Sequence, residues 1–399
     1  MLYRKQTGYD EFKCIADKCP KSCCIGWQIV IDEDSVNKYT NTSGNFSDRL
    51  KASIDYNEEC FKQNNTRCAM LNETGLCDLQ STLGEEYLCN TCRMFPRHFE
   101  EFQDIREYSL SLSCPEVTRM IMEPEFVFTI SETEDDIEDN PDEFEDFDFM
   151  LYDKLEYARD KMFAIAKKTA LPLQERMNLI ACMSLKLQEL YDEGDIFAMD
   201  NVTADDNFET TGTSAMLSLD NCLKGFDTLI EMEVLEESWR DSIKEAKAFW
   251  LNNTNNFTTW KSAMYPDKDQ EFIFEKILES LLYTYFCGAV YDGQIYARTM
   301  IAVQSTRWLM MLDAASSQEL AKTIYLYSRE VEHSDLNVNR LIEYFESELY
   351  GFSLIRCVAM YSPHPSAAQT PSPRGGRLFY LSLITPSSPT ATLLEMLST

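Results

Sequence analysis

Leu151, Leu155, Ala158, Met162 and Ile165 recur at steps of three and four, which places them on one face of a helix. The stretch Thr169 to Pro172 breaks that run, and Pro172 suits the first turn of a following helix. The stripe then resumes through Leu173, Met177, Ile180, Leu187 and Leu190. A further helix pair is predicted over residues 270–291 and 294–312, separated by the turn signal Asp292-Gly293. Both members are apolar around much of their circumference, which predicts the buried centre of a helical bundle. The aromatic residues Tyr283, Tyr285, Phe286, Tyr291, Tyr296 and Trp308 stand at helical spacing and read as core, with a pocket for an adenine ring or a lysine side chain as the less favoured alternative. Residues 200–214 are polar and residues 252–266 hold Asn and Thr clusters, so both segments read as loops. No tandem repeat or heptad array is present.

This pattern divides the 399 residues into four parts. Residues 1–122 hold few long apolar periodic runs and most of the cysteines. Residues 123–149 read as an acidic linker: 11 acids and no base occur between Glu132 and Asp148, and their mutual repulsion keeps such a segment extended. An acidic tether for a basic partner is the alternative for this run. Residues 150–357 form the helical part. Residues 358–399 carry six prolines, seven serines and a single acid, Glu395, and read as a poorly packed tail of different origin with no role in the activity. The fold class expected is therefore mainly α, with an N-terminal cysteine-rich metal-binding domain of little regular strand followed by a C-terminal helical bundle.

Charge narrows the partners. With 36 Lys+Arg against 67 Asp+Glu, the formal charge is −31, the opposite of the basic footprint that phosphate backbones require. Nucleic acid is excluded as a partner on that ground, while basic proteins and metal ions are favoured. The most apolar stretch, Ile277 to Val290, contains Glu279 and is too short to span a bilayer. The start MLYRKQTGYDEFKC has no apolar h-region, and the expectation is a cytoplasmic protein.

The candidate chemistry lies in the thiols. Ten of 14 cysteines fall within the first 114 residues. In a cytoplasmic chain such density points to metal rather than to disulfides. Thiolates are soft ligands suited to zinc or an iron–sulfur cluster. Only three histidines occur (His98, His333 and His364), so any such site is almost wholly sulfur-ligated. Cys14-x4-Cys19-x3-Cys23-Cys24 packs four thiols into eleven residues. Cys68, Cys77, the pair Cys89-x2-Cys92, and Cys114 before Pro115 follow at wider spacing. The vicinal pair Cys23-Cys24 is awkward for one tetrahedral ion; a multi-iron cluster or two neighbouring sites accommodates it better. Cys60 lies in a polar stretch without a close partner and reads as incidental. His98, between Arg97 and Phe99, reads as structural, and Cys182, Cys222, Cys287 and Cys357 read as core packing.

These residues also carry a family likeness. The blocks Phe12-Lys13-Cys14-Ile15-Ala16-Asp17-Lys18-Cys19, Ser22-Cys23-Cys24-Ile25-Gly26-Trp27 and Ile31-Asp32 resemble the opening of the flagellin lysine-N-methylase family. The resemblance continues through Gly75-Leu76-Cys77, Leu83-Gly84-Glu85, Cys92-Arg93-Met94-Phe95-Pro96-Arg97 and Ser111-Leu112-Ser113-Cys114-Pro115-Glu116-Val117. It extends more weakly to Arg329-Glu330-Val331-Glu332-His333-Ser334-Asp335. What it implies is methyl transfer from S-adenosylmethionine to lysines of flagellin or a similar lysine-bearing surface protein of the bacterial flagellum. It also implies a metal centre, an iron–sulfur cluster or alternatively zinc, held by Cys14, Cys19, Cys23, Cys24, Cys68, Cys77, Cys92 and Cys114. Cys60 has no counterpart there and Cys89 is a variable position; no catalytic residue is implied.

The residues themselves say little about the methyl donor. No glycine-rich strand-to-helix turn is present, and Gly212 and Gly225 are isolated. The spacing from Cys14 to Cys23 differs from the C-x3-C-x2-C of radical S-adenosylmethionine enzymes. Lysine is a nucleophile only when neutral, so a transferase must desolvate or deprotonate it. The alternative function is a non-enzymatic metal-binding or electron-transfer protein.

Overall fold

The computed structural model describes residues 1–137, 144, 147–203, 219–253 and 257–359. The tail from residue 360, residues 204–214 of the polar segment, and most of the acidic run between residues 138 and 146 lie outside the described residues.

The molecule is mainly α. At its centre lies the helix Ile295–Ala315, whose residues from Ile295 to Leu312 are all buried. It packs against the helices Leu173–Asp192, Lys268–Tyr285 and Asp335–Ala359. Such all-round burial is what an apolar circumference requires. The turn at Asp292-Gly293 is present: Gly293 has φ +72° and ends the short helix Ala289–Asp292. Pro172 occupies the N-cap of Leu173–Asp192, one residue outside the helix. One expectation needs correcting. Residues 257–264, assigned to a loop for their Asn and Thr content, form the helix Phe257–Met264, which packs on the central helix. Burial of Ala263 and Met264 outweighs the weak helix propensity of its threonines.

All the strands among the described residues fall before residue 135. β1 (Leu2–Gln6) runs parallel to β8 (Ile105–Leu110) and antiparallel to β9 (Ile130–Glu134), while β7 (Arg97–Phe102) forms a hairpin with β8, giving the order β7-β8-β1-β9. β9 thus draws part of the acidic segment into a sheet. A three-stranded sheet places β4 (Cys60–Phe61) between β2 (Ile29–Val30) and β3 (Ile54–Asp55), and β5 (Gln63–Asn64) pairs with β6 (Arg67–Cys68).

Two apolar cores result. The small one gathers Trp27, Ile29, Ile31, Tyr39, Leu50 and Phe61 around the short sheets. The large one joins the four-stranded sheet to the helices. That joint is electrostatic as well as apolar. Arg159, on the helix Phe149–Ala166, donates from both terminal nitrogens to Glu107 on β8. Arg4 on β1 reaches the same carboxylate at 3.5 Å and the Tyr152 hydroxyl at 3.1 Å. Tyr283 donates to the Arg4 carbonyl at 3.1 Å.

Candidate functional site

The short helices and turns of the first 122 residues serve to aim thiols. Between Cys14 and Cys19 lies a single 3-10 turn, Ala16–Lys18, which the Ala16 amide enters by donating to Cys14 Sγ at 3.4 Å. The Cys19 thiol donates to the Lys21 carbonyl at 3.3 Å, and Ser22 Oγ accepts from the Cys24 amide at 3.1 Å. Gly26, at φ +105°, reverses the chain so that its amide meets the Thr66 carbonyl at 2.9 Å. This pairing puts Cys68 beside Cys24, whose carbonyl accepts the Cys68 amide at 2.9 Å. Asn72 Oδ1 accepts from the amides of Thr74 and Leu76, and Gly75, at φ +84°, completes the turn that delivers Cys77. Cys77, Cys89 and Cys114 are N-caps of the helices Asp78–Leu83, Asn90–Met94 and Pro115–Met122. Helix N-terminal amides favour a thiolate at that position.

Seven of the eight cysteines that the family resemblance implies as ligands line one cavity of about 370 Å³: Cys14, Cys19, Cys23, Cys24, Cys77, Cys92 and Cys114. The eighth, Cys68, is buried beside it in the small core. Lys13, Lys21, Arg93 and Arg97 stand around the same cavity. Cys60 and Cys89 do not line it; Cys60 accepts from Gln28 at 2.8 Å, and Cys89 is buried with its thiol toward the Val30 carbonyl at 3.8 Å. His98 is paired with Glu100 at 2.8 Å. Cys182, Cys222 and Cys287 are buried among the helices, and the side chain of Cys357 lies outside the described residues.

Burial dominates the thiol chemistry. It pushes Cys68 and Cys114 up to about 12 and also raises Cys19 and Cys77. Cys24 moves the other way, because the neighbouring Cys23 thiol donates to it. Eight bare thiolates in so small a volume would repel one another, whereas a bound metal would offset that charge. The donor set therefore suits a soft metal or an iron–sulfur centre in its chemistry. As the side chains stand, no three His, Cys, Asp or Glu residues among the described residues converge closely enough to hold one ion.

The helical part reaches the loop that follows these thiols. Arg329, on the helix Leu320–Val331, reaches across to donate to the Ile25 carbonyl at 2.9 Å and lies 4.0 Å over the Trp27 ring. Cys23 and Cys19 are among its electrostatic neighbours. The next residue, Glu330, faces a second, polar cavity of about 620 Å³ with Glu236, Glu245, Trp239, Lys322 and Tyr325. Lys21 lines both cavities and is ion-paired with Glu236, so the two adjoin there. Glu330 Oε2 accepts from the Leu235 amide at 2.6 Å, yet burial pushes its carboxyl up to about 7. Sequence reasoning singled out residues 329–335 only through the family likeness; an isolated Arg-Glu pair carries no local signal of either contact.

The family model of the FliB lysine N-methylase C-terminal domain matches residues 159–354, which include Arg329 and Glu330. The flagellar biosynthetic protein FliU of Salmonella muenchen is 33% identical over 123 residues, covering 28% of this chain and 71% of that protein. The lysine-N-methylases of Salmonella typhimurium and Salmonella choleraesuis are each 32% identical over 133 residues, covering 30% of this chain. That match spans only 32% of the length of each of these two proteins. No solved structure matches. The chain belongs to the flagellin lysine-N-methylase family.

Proposed function

We propose that this protein is a lysine N-methyltransferase acting on flagellin or a related lysine-bearing surface protein, with S-adenosylmethionine as donor and a cysteine-ligated iron–sulfur or zinc centre. The observation that carries the reading is the joining of two family features: the helix of the matched C-terminal region that bears Arg329 and Glu330 bonds to the loop just after Cys24, and the polar cavity that Glu330 lines meets the cysteine-lined one at Lys21. The ligands proposed are Cys14, Cys19, Cys23, Cys24, Cys68, Cys77, Cys92 and Cys114. When bound, the centre would supply folding free energy to a segment with only a small core, and one-electron chemistry if it is iron–sulfur.

The polar cavity suits an acceptor lysine. Trp239 and Tyr325 offer aromatic surface for the aliphatic stem, and Glu236, Glu245 and Glu330 offer carboxylates for the ammonium. Glu330, raised to about 7, is matched to taking the lysine proton near neutral pH. The neutral Nζ then forms its bond to the methyl carbon as the donor's C–S bond breaks, releasing a neutral thioether. The excess of acids over bases suits attraction of a lysine-rich substrate.

The test is anaerobically purified full-length protein incubated with flagellin and isotopically labelled S-adenosylmethionine, read by mass spectrometry. Labelled methyl groups on lysine support the reading. A metal-loaded sample that leaves flagellin unmodified would overturn it in favour of a non-enzymatic metal-binding or electron-transfer protein. Glu330→Gln is expected to lower turnover at least tenfold with folding retained; unchanged turnover removes Glu330 from the proton-accepting role.

A further inference from the structure

We infer that Lys21 of this chain is itself a methyl acceptor: its ammonium occupies the acceptor position of the polar cavity, and the protein methylates it from the same sulfonium donor. The inference rests on the transferase activity proposed above and goes beyond it by naming a modification site within the enzyme.

The cavity is assembled from distant parts of the chain. The helices Glu237–Asn252 and Leu320–Val331 supply Trp239, Glu245, Lys322, Tyr325 and Glu330. The turn Pro20-Lys21 of the cysteine-rich segment enters from the other side, and both of its residues line the cavity. The Lys21 carbonyl is held by the Cys19 thiol at 3.3 Å. From that anchored backbone the side chain, 22% exposed, reaches Glu236 and forms an ion pair across 215 residues of sequence.

Glu236 is more than a surface acid. The preceding Leu235 amide donates to Glu330 Oε2 at 2.6 Å, and Glu236 is an electrostatic neighbour of both Glu330 and Tyr325. The Lys21 ammonium therefore stands among the carboxylates assigned to the acceptor lysine, in a cavity walled by Trp239 and Tyr325. Ordinary surface pairs differ. Lys186 and Lys244 meet Glu189 and Asp241 one turn away on their own helices, and neither lysine lines this cavity.

The step balances without a further reactant. One ammonium proton passes to a carboxylate of the cavity, and the freed Nζ lone pair bonds to the methyl carbon of the donor. The C–S electron pair stays on sulfur, so the sulfonium becomes a neutral thioether and Lys21 a methylammonium; the carboxylate then returns its proton to water. Lys21 keeps its charge and loses one N–H donor, which loosens its hold on Glu236.

The experiment incubates anaerobically purified full-length chain with isotopically labelled S-adenosylmethionine, with and without flagellin, and locates methyl groups by peptide fragmentation in a mass spectrometer. Methyl groups already on Lys21 in the isolated chain are counted with the label. Without flagellin, label is expected on Lys21 and not on Lys186 or Lys244, at a specific rate independent of protein concentration. Glu236→Gln, at a half-buried position, is expected to lower the Lys21 rate about tenfold, with folding checked by circular dichroism. Flagellin labelled while Lys21 stays unmodified overturns the inference and leaves the transferase reading intact. So do label spread over surface lysines, label on Lys322 in place of Lys21, and a specific rate that rises with protein concentration. A folded Glu236→Gln that labels Lys21 as fast as the parent also overturns it. Label on neither protein overturns the transferase reading, and the inference with it. If the variant fails to fold, the map of the parent still decides.

Discussion

The guanidinium of Arg329 lies 4.0 Å over the ring of Trp27, and the two residues come from opposite ends of the chain. Trp27 is buried in the small core, and Arg329 anchors the loop between Cys24 and Trp27 by bonding to Ile25. Arg329→Lys keeps the charge but loses the planar face and the fork of donors. The expected cost is about 1–2 kcal/mol, together with faster proteolysis near Cys24, measured by thermal unfolding and limited digestion. Unchanged stability and cleavage would show that the stacking contributes nothing to holding that loop.

Metal loading is expected to depend steeply on pH. Burial keeps Cys68, Cys114, Cys19 and Cys77 protonated at neutral pH, so a metal must displace their protons. Affinity for zinc, used as the probe, is expected to be tighter at pH 8 than at pH 6, with protons released on binding. Chelator competition and a pH-indicator dye in weakly buffered solution read both quantities. Binding that is independent of pH would mean that the buried thiols are not ligands.

Glu107 holds the sheet to the helices. Its carboxylate receives Arg159 on two oxygens and Tyr152 at 3.2 Å, and both Glu107 and Arg159 are almost fully buried. Glu107→Gln leaves the Arg159 charge uncompensated, and the expected loss is about 3 kcal/mol in urea unfolding. Replacing both partners, as in Glu107→Leu/Arg159→Met, is expected to cost less than the single change. A single variant as stable as the parent would assign the docking to apolar contacts alone.

Glu279 makes stability fall as pH rises across the weakly acidic range. It sits in the buried helix Lys268–Tyr285, and desolvation raises its carboxyl to about 7 despite Lys167 at 3.4 Å. The folded state therefore holds a proton that the unfolded chain, with its ordinary carboxyl, releases at lower pH. Stability from this group is full below the unfolded value and declines as pH rises through about 7, by about 3 kcal/mol in all. Denaturant titrations from pH 5 to pH 7.5 are expected to show this decline in the parent and a smaller one in Glu279→Gln. Equal slopes would contradict the assignment.

The helical half was largely legible from the chain. Its apolar residues repeat with the helical period, and signals such as Pro172 and Asp292-Gly293 act within a few residues of themselves. Phe257–Met264 escaped because its threonines look like loop while its reason for being helical is the central helix beneath it. The sheet escaped for a related reason. β1 reads Leu-Tyr-Arg-Lys-Gln, a surface-like pattern, yet Arg4 is buried because Glu107, Glu132 and Glu156 surround it. Gly225 stands isolated in the sequence, yet a side chain there would run into the ring of Trp308.

The sequence by itself determined which atoms are available: a dense group of soft sulfur donors, an acidic surface, and helices whose faces must be buried. Those are properties of residue type and short spacing. Tertiary structure decided which of those thiols share a cavity, how the Cys23-Cys24 pair is oriented, and that Arg329 and Glu330 border the same region. Such choices depend on contacts between segments up to 304 residues apart, like that of Arg329 with Ile25, and arise only when two cores are packed at once.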